Sequence, residues 1–327
     1  MIADKEINLN PEYQRNYVWD NKRASLLIES IILNVPIPVV YVSQEEDDSW
    51  TVIDGLQRLY SLHRFFERSF KLTGLEILTE LNRSDIKSLN PKAARVLKNG
   101  LLRIIVILND SHEEIKYDVF MRLNRGSVKL TEQELRNCLY RGKLNETLKK
   151  LAFNKSIQSL LNLKEPHSRM MDCELILRYI VLSEKWDREK DEIIGYRGRM
   201  KNFLNEYMQK NKNPNEKFLA SIVKKFEETA EKVLNTYGSK AFRRLNEEGE
   251  YETSLNRSIM DVLMVSSNYF SKEELEDNKE ALLVRLENLI LNDFQFRNSI
   301  TIATSDTKVI TYRLKRWYDE VNTIINA

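Results

Sequence analysis

The sequence predicts an α+β protein, with a small mixed-sheet core in residues 1–142 followed by a mostly α-helical domain in residues 143–327. Three observations lead there. The first third alternates strand-like and helical patterns, the last half carries helical periodicity alone, and 327 residues suffice for two domains of ordinary size. No repeat and no low-complexity tether separates the parts, so the boundary marks a change of architecture and not a flexible linker.

Asp20 can cap a helix over residues 21–34, because Leu27, Ile28 and Ile31 share one face and Pro36 prevents continuation. Pro36 and Pro38 then force an extended backbone into Val39–Val42, a buried strand. An acidic turn at Glu45–Asp48 leads to a second strand, Trp50–Ile53, which makes residues 38–53 a hairpin. From Leu56 the period becomes helical, with Leu59, Leu62 and Phe66 inward and Gln57, Ser61, Arg64 and Arg68 outward. Leu101–Leu108 is long and isoleucine-rich, as a central strand would be. Residues 113–124 return to helix with a stop at Gly126, and Thr131 with Glu134 forms a capping box for the next helix. Helical patterns follow at 144–163, 170–185, 197–210, 215–236, 254–269, 272–291 and 306–325, and none alternates like a strand.

Composition excludes several function classes. Lys and Arg total 51 against 49 Asp and Glu, which removes the uniform positive field of a nonspecific nucleic-acid binder. Any anion site must therefore be local. No apolar stretch reaches the roughly 20 residues of a membrane span, and MIADKEINLN lacks the apolar core of a signal peptide, so a cytoplasmic protein with no membrane partner is expected. Cys138 and Cys173 cannot build a disulfide framework and read as buried thiols. His63, His112 and His167 are scattered, which argues against a zinc site or a histidine-based metal nuclease.

Carboxylate, amide and arginine chemistry remains. In Val52-Ile53-Asp54-Gly55-Leu56-Gln57-Arg58 a buried strand delivers an acid, a glycine, an amide and an arginine to a helix start. Such a junction turns backbone N–H groups and the positive end of the helix dipole toward an anion, and Gly55 permits close approach. Arg58 in the first turn is misplaced against the dipole by roughly 0.3–1 kcal/mol, a penalty that a bound phosphate reverses. Asp54 can accept from a sugar or a nucleophilic water, hold magnesium, or simply cap the helix, with Arg58 paired to some acid.

Two further clusters carry similar groups. In Pro11-Glu12-Tyr13-Gln14-Arg15, a stiff lead-in presents a planar amide and a bidentate cation suited to phosphate or base edges; alternatively Tyr13 and Trp19 are core anchors and Arg15 an ordinary surface residue. In Phe120-Met121-Arg122-Leu123-Asn124-Arg125-Gly126, Asn124 and Arg125 can close over a nucleotide held by the other two, or merely terminate a helix. Thr304–Lys308, before a helix with Arg313, Lys315 and Arg316, can hold another anion or be a well-capped start.

The order PEYQRNYVW, IESIILNVPIPVVYV, VIDGLQR, then FMRLNRG with KLTEQELRN resembles the GmrS-type DGQQR-motif domain family, a relative of the ParB and sulfiredoxin superfamily found at the N-terminus of GmrSD-type modification-dependent restriction systems. The resemblance is close over residues 9–142, and fainter likeness continues in FRRLNEEG and TSDTKVITYRLKR. It implies a ParB/sulfiredoxin-like nucleotide-binding core with a helical extension, acting in bacterial defence against foreign DNA. It also implies nucleoside triphosphate and magnesium as cofactors. Asp54, Gln57 and Arg58 then take catalytic roles with Asp54 also on the metal, while Gln14, Arg15, Gly55, Asn124 and Arg125 bind nucleotide.

Leu56 stands where the family usually has glutamine, and the lost amide bears more on positioning water than on backbone contacts to phosphate. Restriction members usually carry an HNH-type nuclease, fused or as a partner; the three scattered histidines argue against one here and leave a regulatory subunit or an excised domain, and the short lead before PEYQR leaves a truncated chain or a short start. The leading expectation is an NTP-binding and hydrolysing component that gates DNA recognition or a partner nuclease, with homo-oligomerisation open. The alternatives are a metal-dependent ParB-like nicking enzyme and a noncatalytic nucleotide- or DNA-sensing module.

Overall fold

The structure, a computed structural model, describes residues 7–8, 17, 19–45, 48–108, 111, 119, 131–246 and 248–327. It divides into two compact units, residues 1–130 and 131–327.

The first unit is built on a mixed sheet. Helix α1 (Asn21–Ile32) starts where Asp20 accepts from the Arg23 N–H at 2.8 Å, and it buries Ala24, Leu27 and Ile28. It ends two residues before the expected Asn34, which takes a left-handed turn at φ +58°. Strands β2 (Val40–Gln44) and β3 (Trp50–Asp54) form the expected antiparallel hairpin. A strand the sequence did not announce, β1 (Ile7–Asn8), pairs parallel with β3. Strand β4 (Ile104–Ile107) pairs parallel with β2, so among the described strands the order is β1-β3-β2-β4.

Among the described strands the apolar run at 101–108 thus forms an edge and not a central strand. Leu101 and Ile105 are exposed, Ile104 and Val106 are half-buried, and within β4 Ile107 alone is buried.

Helix α2 (Leu56–Phe66) places Leu56 and Leu59 against Val40, Val42 and Val52 of the sheet. Farther along, Phe65 and not Phe66 turns inward, packing on Phe70 at 5.4 Å, while Phe66 is exposed in the last turn. Both positions lie on the same side of a helix, and tertiary packing chooses between them. Helix α3 (Pro91–Lys98), capped by Asn90, completes this layer through Ala93 and Leu97. Apart from residue 119, the helix expected at 113–124 and its stop at Gly126 lie outside the described residues.

The second unit is mainly helical. Thr131 and Glu134 make both halves of the expected capping box at the start of α4 (Glu132–Leu139). The pattern at 144–163 resolves into α5 (Lys143–Leu151) and α6 (Lys155–Leu161), because Asn154 caps a new start. Next come α7 (Met171–Lys185), α8 (Met200–Lys210), α9 (Glu216–Tyr237) and α10 (Arg257–Ser266). The pattern at 272–291 breaks at Asn278 into α11 (Lys272–Asp277) and α12 (Lys279–Asn292), followed by α13 (Phe294–Ser299) and α14 (Thr307–Ile325).

The expectation of helix alone fails in two places. Short antiparallel pairs join β5 (Trp186–Asp187) to β6 (Glu192–Ile193) and β7 (Arg243–Leu245) to β8 (Tyr251–Leu255). β5 and β6 are two residues each, too short for a period, and β8 buries no residue fully, so neither pair shows apolar alternation. No helix among the described residues is long and apolar enough to cross a membrane.

The interior of this unit contains charge. Asp261 accepts from Arg178 Nε at 2.5 Å and NH2 at 2.6 Å, and from Arg313 at 2.9 Å, with all three side chains buried. Cys173 is buried as expected, and burial, with Asp172 alongside, pushes its thiol far up and keeps it protonated. The side chain of Cys138 lies outside the described residues.

Candidate functional site

The strand-to-helix junction at Asp54-Gly55 is the best-defined candidate. β3 carries Asp54 to its end, opposite Tyr41 of β2. Gly55 then takes φ +100°, a region L side chains rarely adopt, and a Cβ there would sit 2.8 Å from Val40 Cγ2 and 3.3 Å from Arg58 NH2. The chain therefore needs glycine twice, for the turn and for the close approach. Gly55 is the N-cap of α2, no side chain caps the helix, and its first turn holds no acidic residue. Asp54 consequently does not cap the helix, which removes one of its three expected roles.

Asp54 instead pairs with Arg58, Oδ2 to NH2 at 2.7 Å. The other terminal nitrogen of Arg58 donates to the Pro38 carbonyl and, at 3.3 Å, to that of Val39. This cradle offsets the dipole penalty on Arg58 and fixes the guanidinium beside the helix start, with its side chain only 12% exposed. Asp54 stays more open, at 42%, and its Oδ1 has no partner among the described residues. The carbonyls of Pro38 and Val39 were not foreseen: proline pairs in the sequence announced an extended segment, not an acceptor for an arginine 20 residues away.

Gln57 turns its Oε1 to the backbone N–H of Trp19 at 3.2 Å. One turn on, Ser61, expected outside, is buried because the Tyr17 hydroxyl covers it at 2.9 Å. The Tyr17 ring lies 4.9 Å from Tyr60 and 4.8 Å below the Arg64 guanidinium, which also donates to Asn21 Oδ1 at 3.0 Å. The outward side of α2 thus fastens the chain just after PEYQR. Gln57, Tyr60, Ser61 and Arg64 share that side at helical spacing, the one signal that could have disclosed it.

Gln14, Arg15, Asn124 and Arg125 lie outside the described residues, as does His112. Of the expected pocket, the structure therefore brings together Asp54, Gly55, Gln57 and Arg58. No group of three or more His, Cys, Asp or Glu side chains that could hold a metal occurs among the described residues. Magnesium needs less when phosphates share it: one or two carboxylates with phosphate oxygens and water suffice, and Asp54 Oδ1 is compatible with that donor set.

The second candidate start, at 304–308, is a capped helix. Asp306 accepts from the N–H groups of Lys308 and Val309. Arg313 is part of the buried trio, Lys315 pairs with Asp191, and Arg316 reaches Asp293 and Glu320.

Comparison with curated proteins and with solved structures gives no significant match. Comparison with protein families gives one, in which residues 1–141 match the family described as GmrSD restriction endonuclease, N-terminal domain. That span contains the sheet, the Asp54-Gly55 junction and the Arg58 cradle. Residues 1–141 thus form a domain similar to the N-terminal domain of GmrSD restriction endonucleases, a restriction-system domain.

Proposed function

We propose that the chain binds a nucleoside triphosphate at the DGLQR junction, hydrolyses it, and so gates DNA recognition or a partner nuclease. The observation that carries this reading is the start of α2: no side chain caps it and no acid sits in its first turn, Gly55 leaves room for close approach, and Arg58 is held alongside. Backbone N–H groups and the dipole then favour an anion.

Arg58 serves as the cation for phosphate charge, already oriented by the Pro38 and Val39 carbonyls. A phosphate oxygen competes with Asp54 for Arg58 NH2, and as it enters, the Asp54 carboxylate is released to orient water or to help hold magnesium. Bound magnesium supplies neutralisation of phosphate charge. Gln57 holds Trp19, two positions beyond Tyr17 and four beyond Arg15, so its first role is to position that segment. Leu56, at the position of the family's first glutamine, packs in the sheet core and contributes no amide.

The nicking reading asks for several acids around one metal. Asp54 is paired with an arginine and belongs to no group of three or more potential metal ligands among the described residues, which favours the nucleotide reading. Phosphate release from ATP, GTP and CTP with magnesium tests the proposal. Release from at least one of them, abolished by Arg58→Ala, is expected. Tight binding without release selects the noncatalytic module, and magnesium-dependent plasmid nicking without nucleotide selects the nuclease.

A further inference from the structure

We propose that the helical unit carries a separate oxyanion site for phosphate groups, in the pocket between α4, α7, the start of α8 and the start of α10. The pocket encloses about 430 Å³ and lies wholly within residues 131–327, in the range of roughly 300–1,000 Å³ typical of ligand sites. Arg136, Arg178, Arg199, Lys201 and Arg257 line it, against the two carboxylates Glu132 and Glu174. In a protein whose charges nearly balance, this is a concentrated excess of cations.

The carboxylates are already engaged. Glu174 takes Arg136 at 3.1 Å and Arg257 at 3.6 Å, and Glu132 takes Arg136 at 3.3 Å. Arg136 spends four of its five N–H groups on these together with Gln133 and Asn205, so it chiefly builds the wall. Arg178 differs. Asp261 engages its Nε and NH2, and among the described residues its NH1 has no partner. Nor does Asp261 neutralise Arg178 alone, because the same carboxylate serves the buried Arg313. One negative charge behind the wall thus answers two positive ones. Tyr196 beside them adds no charge, since burial raises its hydroxyl and it donates to the Ser305 carbonyl at 2.6 Å.

The start of α8 supplies the remaining donors. Its N-cap, Arg199, makes no side-chain cap, its first turn has no acid, and Met200, Lys201 and Asn202 of that turn line the pocket. A partly buried arginine nitrogen, an exposed arginine, a lysine and helix N-terminal amides converging on one cavity form a donor set for phosphate oxygens. A phosphomonoester or pyrophosphate group and a phosphodiester of a nucleic-acid backbone share this chemistry.

Titration calorimetry of the full chain with sodium pyrophosphate, and with a 20-base-pair DNA duplex of arbitrary sequence, tests the proposal. Arg199 and Arg257 are more than half exposed or at the surface, so Arg199→Glu and Arg257→Glu are expected to keep the parental melting temperature. Each should weaken binding by about tenfold or more. Loss confined to pyrophosphate identifies a small phosphate ligand, and loss confined to the duplex a backbone phosphate. Parental affinity for both probes in both variants overturns the proposal, as does absence of saturable binding. If Arg58→Ala removes the pyrophosphate binding and Arg199→Glu does not, the anion belongs to the first unit and the proposal fails.

Discussion

Asp54 and Arg58 face each other across the first turn of α2, Oδ2 to NH2 at 2.7 Å, with Gly55 between them in the left-handed region. The pair is local, i to i+4, yet the arginine also spans 20 residues to the Pro38 and Val39 carbonyls. It therefore joins the helix start to the segment that enters β2, and it does so at the helix end where the triphosphate is proposed to bind.

Replacing Gly55 by alanine tests the geometry of that turn. The added Cβ meets Val40 Cγ2 at 2.8 Å in a conformation that alanine disfavours. Left-handed strain costs about 1–2 kcal/mol and overpacking about 1–3 kcal/mol, so the urea midpoint of Gly55→Ala should fall clearly below that of the parent. An unchanged midpoint would show that Val40 and the turn give way freely.

A second prediction concerns Glu29, a buried carboxylate of α1 that accepts N–H groups of Glu76 at 3.3 Å, Ile77 at 2.8 Å and Leu78 at 2.7 Å. Burial raises its affinity for protons, but the three donors outweigh burial and the net shift is downward from 4.5. Glu29→Gln should cost about 1–3 kcal/mol at neutral pH. Because the folded form holds the proton less tightly than the unfolded one, the carboxylate's contribution is complete above pH 4.5 and is lost as pH falls through the lowered folded value. Stability curves of parent and variant should converge on acidification; curves that stay parallel down to pH 3 would contradict the assignment.

Asp261 carries a stronger prediction for the helical unit. Asp261→Asn leaves Arg178 and Arg313 buried together without a counter-charge. Breaking a buried ion pair in this way costs about 3–5 kcal/mol, so the variant should melt far below the parent or fail to fold. A melting temperature within a degree or two would mean that water already solvates the trio.

The contact between Tyr17 and Ser61 can be measured by a double-mutant cycle. Tyr17→Phe and Ser61→Ala each remove one side of the 2.9 Å hydrogen bond, and a coupling of about 1 kcal/mol is expected. Additive losses would show that the hydroxyls do not bind each other in solution.

These residues also mark where the sequence was legible. Signals carried by neighbours three or four positions apart were readable: the Asp20 cap, the Thr131–Glu134 box and the helix beginning at Leu56 all form as their spacing predicts. So was the junction, because Asp54, Gly55, Gln57 and Arg58 fall within one five-residue stretch. What distant partners decide was not readable. Ser61 is polar and looked outward until Tyr17 covered it, Phe65 and Phe66 were separated only by the position of Phe70, and β1 exists only through β3. The charged trio joins residues 178, 261 and 313, three separate helices, and nothing local distinguishes those residues from surface ones.

The central claim is that the Asp54-Gly55 junction is a triphosphate site, and calorimetry of the full chain with ATP, GTP and CTP, with and without magnesium, tests it most directly. At least one nucleotide should bind saturably and more tightly with magnesium. Arg58→Ala, provided its far-ultraviolet spectrum matches the parent, should weaken that binding by about tenfold or more. No binding of any of the three, or parental affinity in Arg58→Ala, would contradict the account.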